Sequence, residues 1–207
     1  MITLNEKLQN IRNKLSDFLH SQSQSSKICA FRVSHIPTQI ENVDVGINKI
    51  PLYAVDSVPY VITENELRGL TEIGNWMFYN CKSLTNITIP DSVKSIGWDA
   101  FSCCESLTNI VIPDSVTSIG NDVFVCCTSL TSVTIRGNIT TIESSLFYEC
   151  PNLANIYIHS ATPPALLSKD AIPDHTTINV PVGSGDAYRN ATNWSYHSAR
   201  IVENSAL

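Results

Sequence analysis

The sequence predicts an α/β repeat solenoid of 23-residue coils, with parallel strands joined by short helical or 3-10 turns. Three observations predict it. One pattern recurs at a fixed period: LTNITIPDSVKSIGWDAFSCCES from Leu84, LTNIVIPDSVTSIGNDVFVCCTS from Leu107, LTSVTIRGNITTIESSLFYECPN from Leu130, and LANIYIHSATPP from Leu153, with a half-copy, Leu70 to Ser83, ahead of them. The apolar residues stand in fixed columns within the copies. No copy is long enough to bury its own Leu, Ile and Phe, so each must be covered by its neighbours, which is the definition of a stacked repeat.

The elements follow in chain order. Leu84, Leu107, Leu130 and Leu153 open each copy; Ile87, Ile110, Val133 and Ile156, then Ile89, Ile112, Ile135 and Ile158, stand two apart. That is strand alternation in β-branched residues. It predicts parallel strands over 85–89, 108–112, 131–135 and 154–158, stacked at the usual strand spacing of about 4.8 Å. Pro90 and Pro113 cannot donate to a ladder and end the strand. A second apolar pair follows: Leu70 with Ile73, Val93 with Ile96, Val116 with Ile119, Ile139 with Ile142. Gly74, Gly97 and Gly120 then open a corner, expected at positive φ. Phe78, Phe101, Phe124 and Phe147 lie in a segment too short for a free helix, expected as one or two helical or 3-10 turns.

The pattern L-x-x-I-x-I-P-x-S-V-x-x-I-G-x-x-x-F-x-x-C-x-x resembles the BspA-type, or Treponema pallidum-type, leucine-rich repeats, from Leu70 to about Pro164. The third copy departs from it. Arg136-Gly137 replaces Pro-Asp and Glu143 replaces Gly, so that corner is expected to differ. The stretch from Thr177 is similar to the closing segment of such proteins, through Val180-Pro181, Ala187-Tyr188 and Trp194. It predicts a last strand and a short helix from about Ser184 that covers the end of the core. The resemblance implies a binding or scaffold role on a bacterial or protist surface, with no catalytic residues to carry over.

The chain divides as 1–20, an N-terminal amphipathic helix; 21–66, a linker and irregular N-terminal cap; 67–164, the leucine-rich-repeat solenoid; and 165–207, a C-terminal capping segment. In the first, Leu4, Leu8, Ile11, Leu15 and Phe18 make a heptad-like seam, short for a self-standing coiled coil. SQSQSS from Ser21 is linker-like. ICAFRV and PLYAV in 27–66 are strand-like but lack the repeat spacing.

Charge is sparse. Of 207 residues 15% are charged, and the net charge is −6 with no Lys/Arg cluster, which removes the electrostatic drive for nucleic-acid binding. No apolar run is long enough to insert in a membrane, and the N-terminus lacks the apolar core of a signal peptide. By sequence the chain reads as cytoplasmic; by resemblance it belongs at a cell surface.

Seven cysteines are present. Cys81, Cys104, Cys127 and Cys150 form one column, Cys103 and Cys126 a second, and Cys29 stands apart. They read as small apolar core residues beneath the Phe column, buried and reduced. Stacked parallel side chains suit a disulfide poorly, and adjacent Cys pairs diverge rather than converge on zinc. The histidines, His20, His35, His159, His175 and His197, fall into no triad. No phosphate-binding loop or cofactor motif occurs. Four N-x-S/T sequons begin at Asn86, Asn138, Asn190 and Asn193.

What remains is the outward strand face: Asn86, Thr88, Asn109, Val111, Ser132, Thr134, Asn155 and Tyr157, with Thr85, Thr108 and Thr131 at its entrance. Val111 and Tyr157 are its anchors. The expected function is non-enzymatic binding of a protein or glycan, as a bacterial surface or phage-associated adhesin. The alternative is an intracellular oligomeric scaffold assembled through the N-terminal helix.

Overall fold

The computed structural model describes residues 60–64, 67 and 69–207. The expected N-terminal helix, the linker, Cys29, His20 and His35 lie outside the described residues.

Each coil lays one strand on the front and a two-residue strand at the back. In chain order they are β1 (Tyr60–Ile62), β2 (Glu72–Ile73), β3 (Leu84–Ile87), β4 (Ser95–Ile96), β5 (Asn109–Ile112), β6 (Ser118–Ile119), β7 (Ser132–Ile135), β8 (Thr141–Ile142), β9 (Asn155–Ile158), β10 (Ala165–Leu166), β11 (Thr177–Pro181) and β12 (Ile201–Asn204). The front sheet runs β12-β11-β9-β7-β5, all parallel. Its register is that of the repeat: Ile110 faces Val133, and Val133 faces Ile156. β3 joins β5 only through a bridge between Thr88 and Val111, and pairs along its length with β1. The back strands form β2-β4-β6 and, separately, β8-β10.

Between the sheets lies a continuous core. The Leu, Ile and Phe columns are buried throughout. Phe78, Phe101, Phe124 and Phe147 stack face to face, with centroids 5.2, 5.8 and 5.7 Å apart. Phe101 and Phe124 thus rest on an identical ring above and below, and Phe78 and Phe147 on one.

The Phe segments are not 3-10 helices but runs of tight turns. Alternate residues bond within the turn, as Met77 N–H to Gly74 O, Tyr79 N–H to Trp76 O and Cys81 N–H to Phe78 O. The residues between them donate to the next coil: Trp76 to Trp98 O, Phe78 to Ala100 O, Asn80 to Ser102 O. This division requires left-handed residues. Trp76, Asp99 and Asp122 in one column, and Asn80, Cys103, Cys126 and Glu149 in another, have φ of +52° to +61°. A left-handed non-glycine residue costs of order 1–3 kcal/mol, offset here by paired backbone groups. On the strand side the donors point the other way. Thr117 N–H reaches back to Lys94 O, Gly120 N–H to Ile96 O and Thr131 N–H to Thr108 O.

The corner glycines differ from the expectation of positive φ. Among the described residues only Gly69 and Gly183 are left-handed glycines. Gly97 and Gly120 are required by close approach instead. A Cβ on Gly97 would stand 2.6 Å from the Asn75 backbone nitrogen, and one on Gly120 2.8 Å from that of Trp98. Among the described residues Gly74 meets only the tip of Met77, at 3.9 Å. The third copy completes the argument. Glu143 carries a Cβ at this corner, and there the back ladder breaks: β8 pairs with β10, not with β6. Arg136, in place of Pro, has an N–H and donates it to Ile112 O.

The first coil reaches back to Tyr60, ahead of residue 67, where the sequence boundary was drawn. β1 supplies its strand, with Ile62 facing Ile87 across a register shift between Tyr60 and Val61. At the other end, β11 leads through Ser184 into α1 (Gly185–Asn190). Tyr188 and Trp194 are fully buried and meet edge to face at 5.1 Å. Their polar tips reach carbonyls of the departing coil, Tyr188 Oη to Ser160 O and Trp194 Nε1 to Pro164 O. The chain then adds β12 to the front sheet, a strand the sequence reading did not contain. Glu203 of β12 accepts the N–H groups of Gly183 and Gly185, which hold its carboxyl below the usual range.

Two pairs of variants test this packing in denaturant melts. Gly97→Ala should lose about 1–3 kcal/mol by overpacking, whereas Gly74→Ala should be neutral or gain up to about 1 kcal/mol. Equal losses would return the corner to a backbone-conformation argument. Phe124→Ala should cost about 3–5 kcal/mol, and Thr134→Ala no more than about 0.5 kcal/mol.

Candidate functional site

The front sheet sets six of the expected residues in two columns on one face, and β3 with Thr88 supplies the other two one repeat before them. Asn109, Ser132 and Asn155 form the first, with Asn86 of β3 the repeat-equivalent before them; the register carries it on to Thr177. Thr88, Val111, Thr134 and Tyr157 form the second, which continues through Asn179 to Val202. Strand alternation causes this: their neighbours Ile110, Val133 and Ile156 point into the core.

The face changes along its length. Asn86, Thr88, Asn109 and Val111 are exposed, Val111 at 39%. Ser132, Thr134, Asn155 and Tyr157 are half-buried, so Tyr157 protrudes less than its size suggests. Asn179 is buried, with its amide nitrogen 3.3 Å from Ile156 O and its oxygen accepting from Asn204. The entrance threonines serve the stack rather than a partner. Thr108 Oγ1 donates to Thr85 O and Thr131 Oγ1 to Thr108 O, at 3.4 and 2.9 Å. No member of either column from Asn86 to Tyr157 is charged.

The cysteine columns have a structural role. Cys104, Cys127 and Cys150 are buried, and each thiol donates to a Phe carbonyl of the preceding coil: Phe78 O at 3.1 Å, Phe101 O at 3.2 Å and Phe124 O at 2.9 Å. A small side chain with one weak donor meets that need. Burial pushes all three thiols up, Cys150 to about 12. Cys103 is buried as well, but Cys81 and Cys126 are only half-buried, a correction to the expectation of uniform burial. Cys126 Sγ lies 3.1 Å from Glu149 Oε2. Among the described residues no group of three or more His, Cys, Asp or Glu could hold a metal ion.

The histidines remain scattered. His175 is exposed. His197 is buried beside Arg200, and burial together with that charge lowers its pKa, so it is neutral in the fold. Among the described residues no helix is long and apolar enough to cross a membrane.

The sequence reading missed the largest exposed aromatics, Trp98, Tyr148 and Tyr196, which are 57, 58 and 69% exposed and lie off the strand face. A signal for Trp98 was present. Its column reads Asn75, Trp98, Asn121, Ser144, so it is the one apolar departure at an outward position.

Comparison with known proteins agrees with the fold. The model of the BspA type leucine rich repeat region matches residues 48–164 in six copies. The chain belongs to this family. Among solved structures it is similar to a leucine rich repeat protein of T. pallidum, at 39% identity over 43% of this chain and 42% of that one, with a TM-score of 0.42. It is also similar to a leucine rich cell surface protein of Faecalibacterium prausnitzii, at 28% identity over 50% and 26%, TM-score 0.44. A leucine-rich repeat protein of Bacteroides ovatus matches at 30% identity over 58% and 32%, TM-score 0.42. The chain spans less than half the length of each of these. No curated protein matches it.

The thiol ladder yields a pH prediction. The native pKa values lie above those of the unfolded chain, so the thiol contribution is fully present below the ordinary thiol pKa, near 9, and is lost as pH rises past it. Each buried thiol should remove about 1.4 kcal/mol per pH unit in that range. Denaturant melts between pH 8 and 11 should show a slope for Cys127→Ala shallower than wild type by about that amount. Identical slopes would place that thiol in water. In the native protein at pH 8, a thiol reagent should modify Cys81 and Cys126 before Cys104, Cys127 or Cys150.

Proposed function

We propose that this BspA-type leucine-rich repeat protein is a non-enzymatic binding module, displayed at a bacterial or phage surface, whose front sheet engages a protein or glycan partner. The observation that carries the reading is the uncharged face of two side-chain columns on a rigid parallel sheet. Membership in a family of repeat-based binding modules supports it. A solenoid sheet presents many identical contacts at fixed spacing, which suits an extended or repetitive partner.

The more exposed end of the face, from Asn86 to Val111, makes first contact. Val111 is its apolar anchor and Tyr157 a secondary one, half sunk between neighbours. With no charges in the columns, affinity depends weakly on salt. Nothing in the face supplies a nucleophile with a base and an orienting group, which is why the role is binding rather than catalysis.

The test compares wild type, Val111→Asp and Tyr157→Ala in capture from host-matrix and cell-envelope material, with surface proteolysis of intact cells for location. Val111→Asp should lose the partner at every salt concentration, and Tyr157→Ala should weaken it by a smaller factor. Equal capture by all three sinks the strand-face reading. Protection of the protein in intact cells, with loss of self-association on deleting residues 1–20, would replace it with the oligomeric scaffold.

A further inference from the structure

We propose that the glycine-floored groove at the back corner is a second binding site, which takes a neutral sugar ring stacked on the indole of Trp98. It lies off the front sheet and is independent of the strand-face reading.

The groove follows from the corner geometry. Along β2, β4 and β6 the isoleucines point inward, and Glu72, Ser95 and Ser118 point out to form one wall. Gly74, Gly97 and Gly120 form the floor, and Asn75 and Trp98 the opposite wall, of an open groove of about 410 Å³. That volume is in the range of small-ligand sites. Because Gly97 and Gly120 have no room for a Cβ, the floor is bare backbone at the points where the coils meet most closely.

Trp98 is positioned for a ligand and unexplained by the stack. Its Cδ1 is 2.5 Å from where a Cβ of Gly120 would stand, so the indole is seated over Gly120, yet 57% of the residue is exposed. The equivalent Asn75 does structural work: its Oδ1 accepts the Trp98 N–H at 2.8 Å. An indole has no acceptor oxygen and cannot do the same for Asn121. Trp98 therefore replaces an inter-coil hydrogen bond with a ring that packs one part on Gly120 and leaves more than half of the residue exposed.

The surrounding chemistry selects the ligand class. A pyranose has an apolar C–H face, which suits the electron-rich face of an indole, and a rim of hydroxyls. Ser95 and Ser118 offer hydroxyls to that rim, and the Glu72 carboxylate accepts up to two hydroxyl bonds. Glu72 is the only charged group among the described lining residues, so it admits neutral sugars and repels acidic ones. A peptide finds little here. The back strands are two residues long, and β4 is paired on both sides.

Titration calorimetry of the full chain with cellotetraose, maltotetraose, chitotetraose and sialyllactose tests the proposal. At least one neutral oligosaccharide should bind with a millimolar or better Kd, and sialyllactose should bind more weakly. Trp98→Asn restores the residue type of the repeat column, so it should melt at or above the wild-type temperature while losing at least about fivefold in affinity. Trp98→Phe should keep part of the affinity, and Val111→Asp should keep all of it. No heat from any of the four sugars, or undiminished binding by Trp98→Asn, overturns the assignment. Loss of sugar binding in Val111→Asp would also overturn it, moving the sugar to the front sheet.

Discussion

The structure depends on each coil completing the backbone hydrogen bonding of its neighbours in two opposite directions. Strand-side N–H groups point to the coil before, and turn-side N–H groups to the coil after. An interior coil is therefore clamped twice, and its length cannot change on one side without breaking register on the other. That is the physical content of the 23-residue period. Where the period slips, the cost is visible. Ile62 and Ile87 are register partners but 25 residues apart, and the ladder between β1 and β3 shifts at Tyr60. Where a corner residue gains a Cβ, at Glu143, the back sheet ends.

The front of the solenoid was legible because one short segment carried several consistent signals: β-branched pairs two apart, a proline stop, and a fixed repeat. The structure moves those strands by a residue or two and reduces the β3–β5 pairing to one bridge. The turn side was not legible. Its Phe and Cys columns announced burial, but Trp76, Cys103 and Cys126 are not residue types that favour a left-handed backbone, as Asn80, Asp99 and Asp122 are. That conformation is imposed by the carbonyls of the next coil. The glycines were read correctly as corners and for the wrong reason. Positive φ is a local property, whereas close approach exists only once a second coil is present, as Gly97 meets Asn75 and Gly120 meets Trp98. β12 escaped for a similar reason, since Ile201–Asn204 has only two apolar residues and is a strand because β11 offers it an edge.

The candidate face shows the same division. Strand alternation depends only on a period of two, and the pairing register sets Asn109, Val111, Ser132, Thr134, Asn155 and Tyr157 in two columns. Their exposure was not readable. Tyr157 sinks because neighbouring strands flank it, and Asn179 is buried because β12 and Asn204 close over it. The entrance threonines resembled free polar surface and are tied to the coils beneath. The cysteines looked most like chemistry. Their thiols prove to be donors to the Phe carbonyls of the preceding coil, in the interior where burial makes them least reactive.

A repeat protein contains its own comparison. Positions that agree from coil to coil are those the stack dictates, and they say little about a partner. Positions that depart are of two kinds. Arg136 departs from proline and recovers a hydrogen bond to Ile112; Glu143 departs from glycine and stands where the ladder from β6 ends. Both departures are answered within the fold. Trp98 is not: it forgoes the bond that Asn75 makes and exposes its ring beside a groove the glycines keep open. An unanswered departure at a clamped position points outside the chain for its explanation. The same criterion ranks the front sheet, where Val111 stands among threonines with its side chain exposed, above Tyr157, whose neighbours absorb much of it.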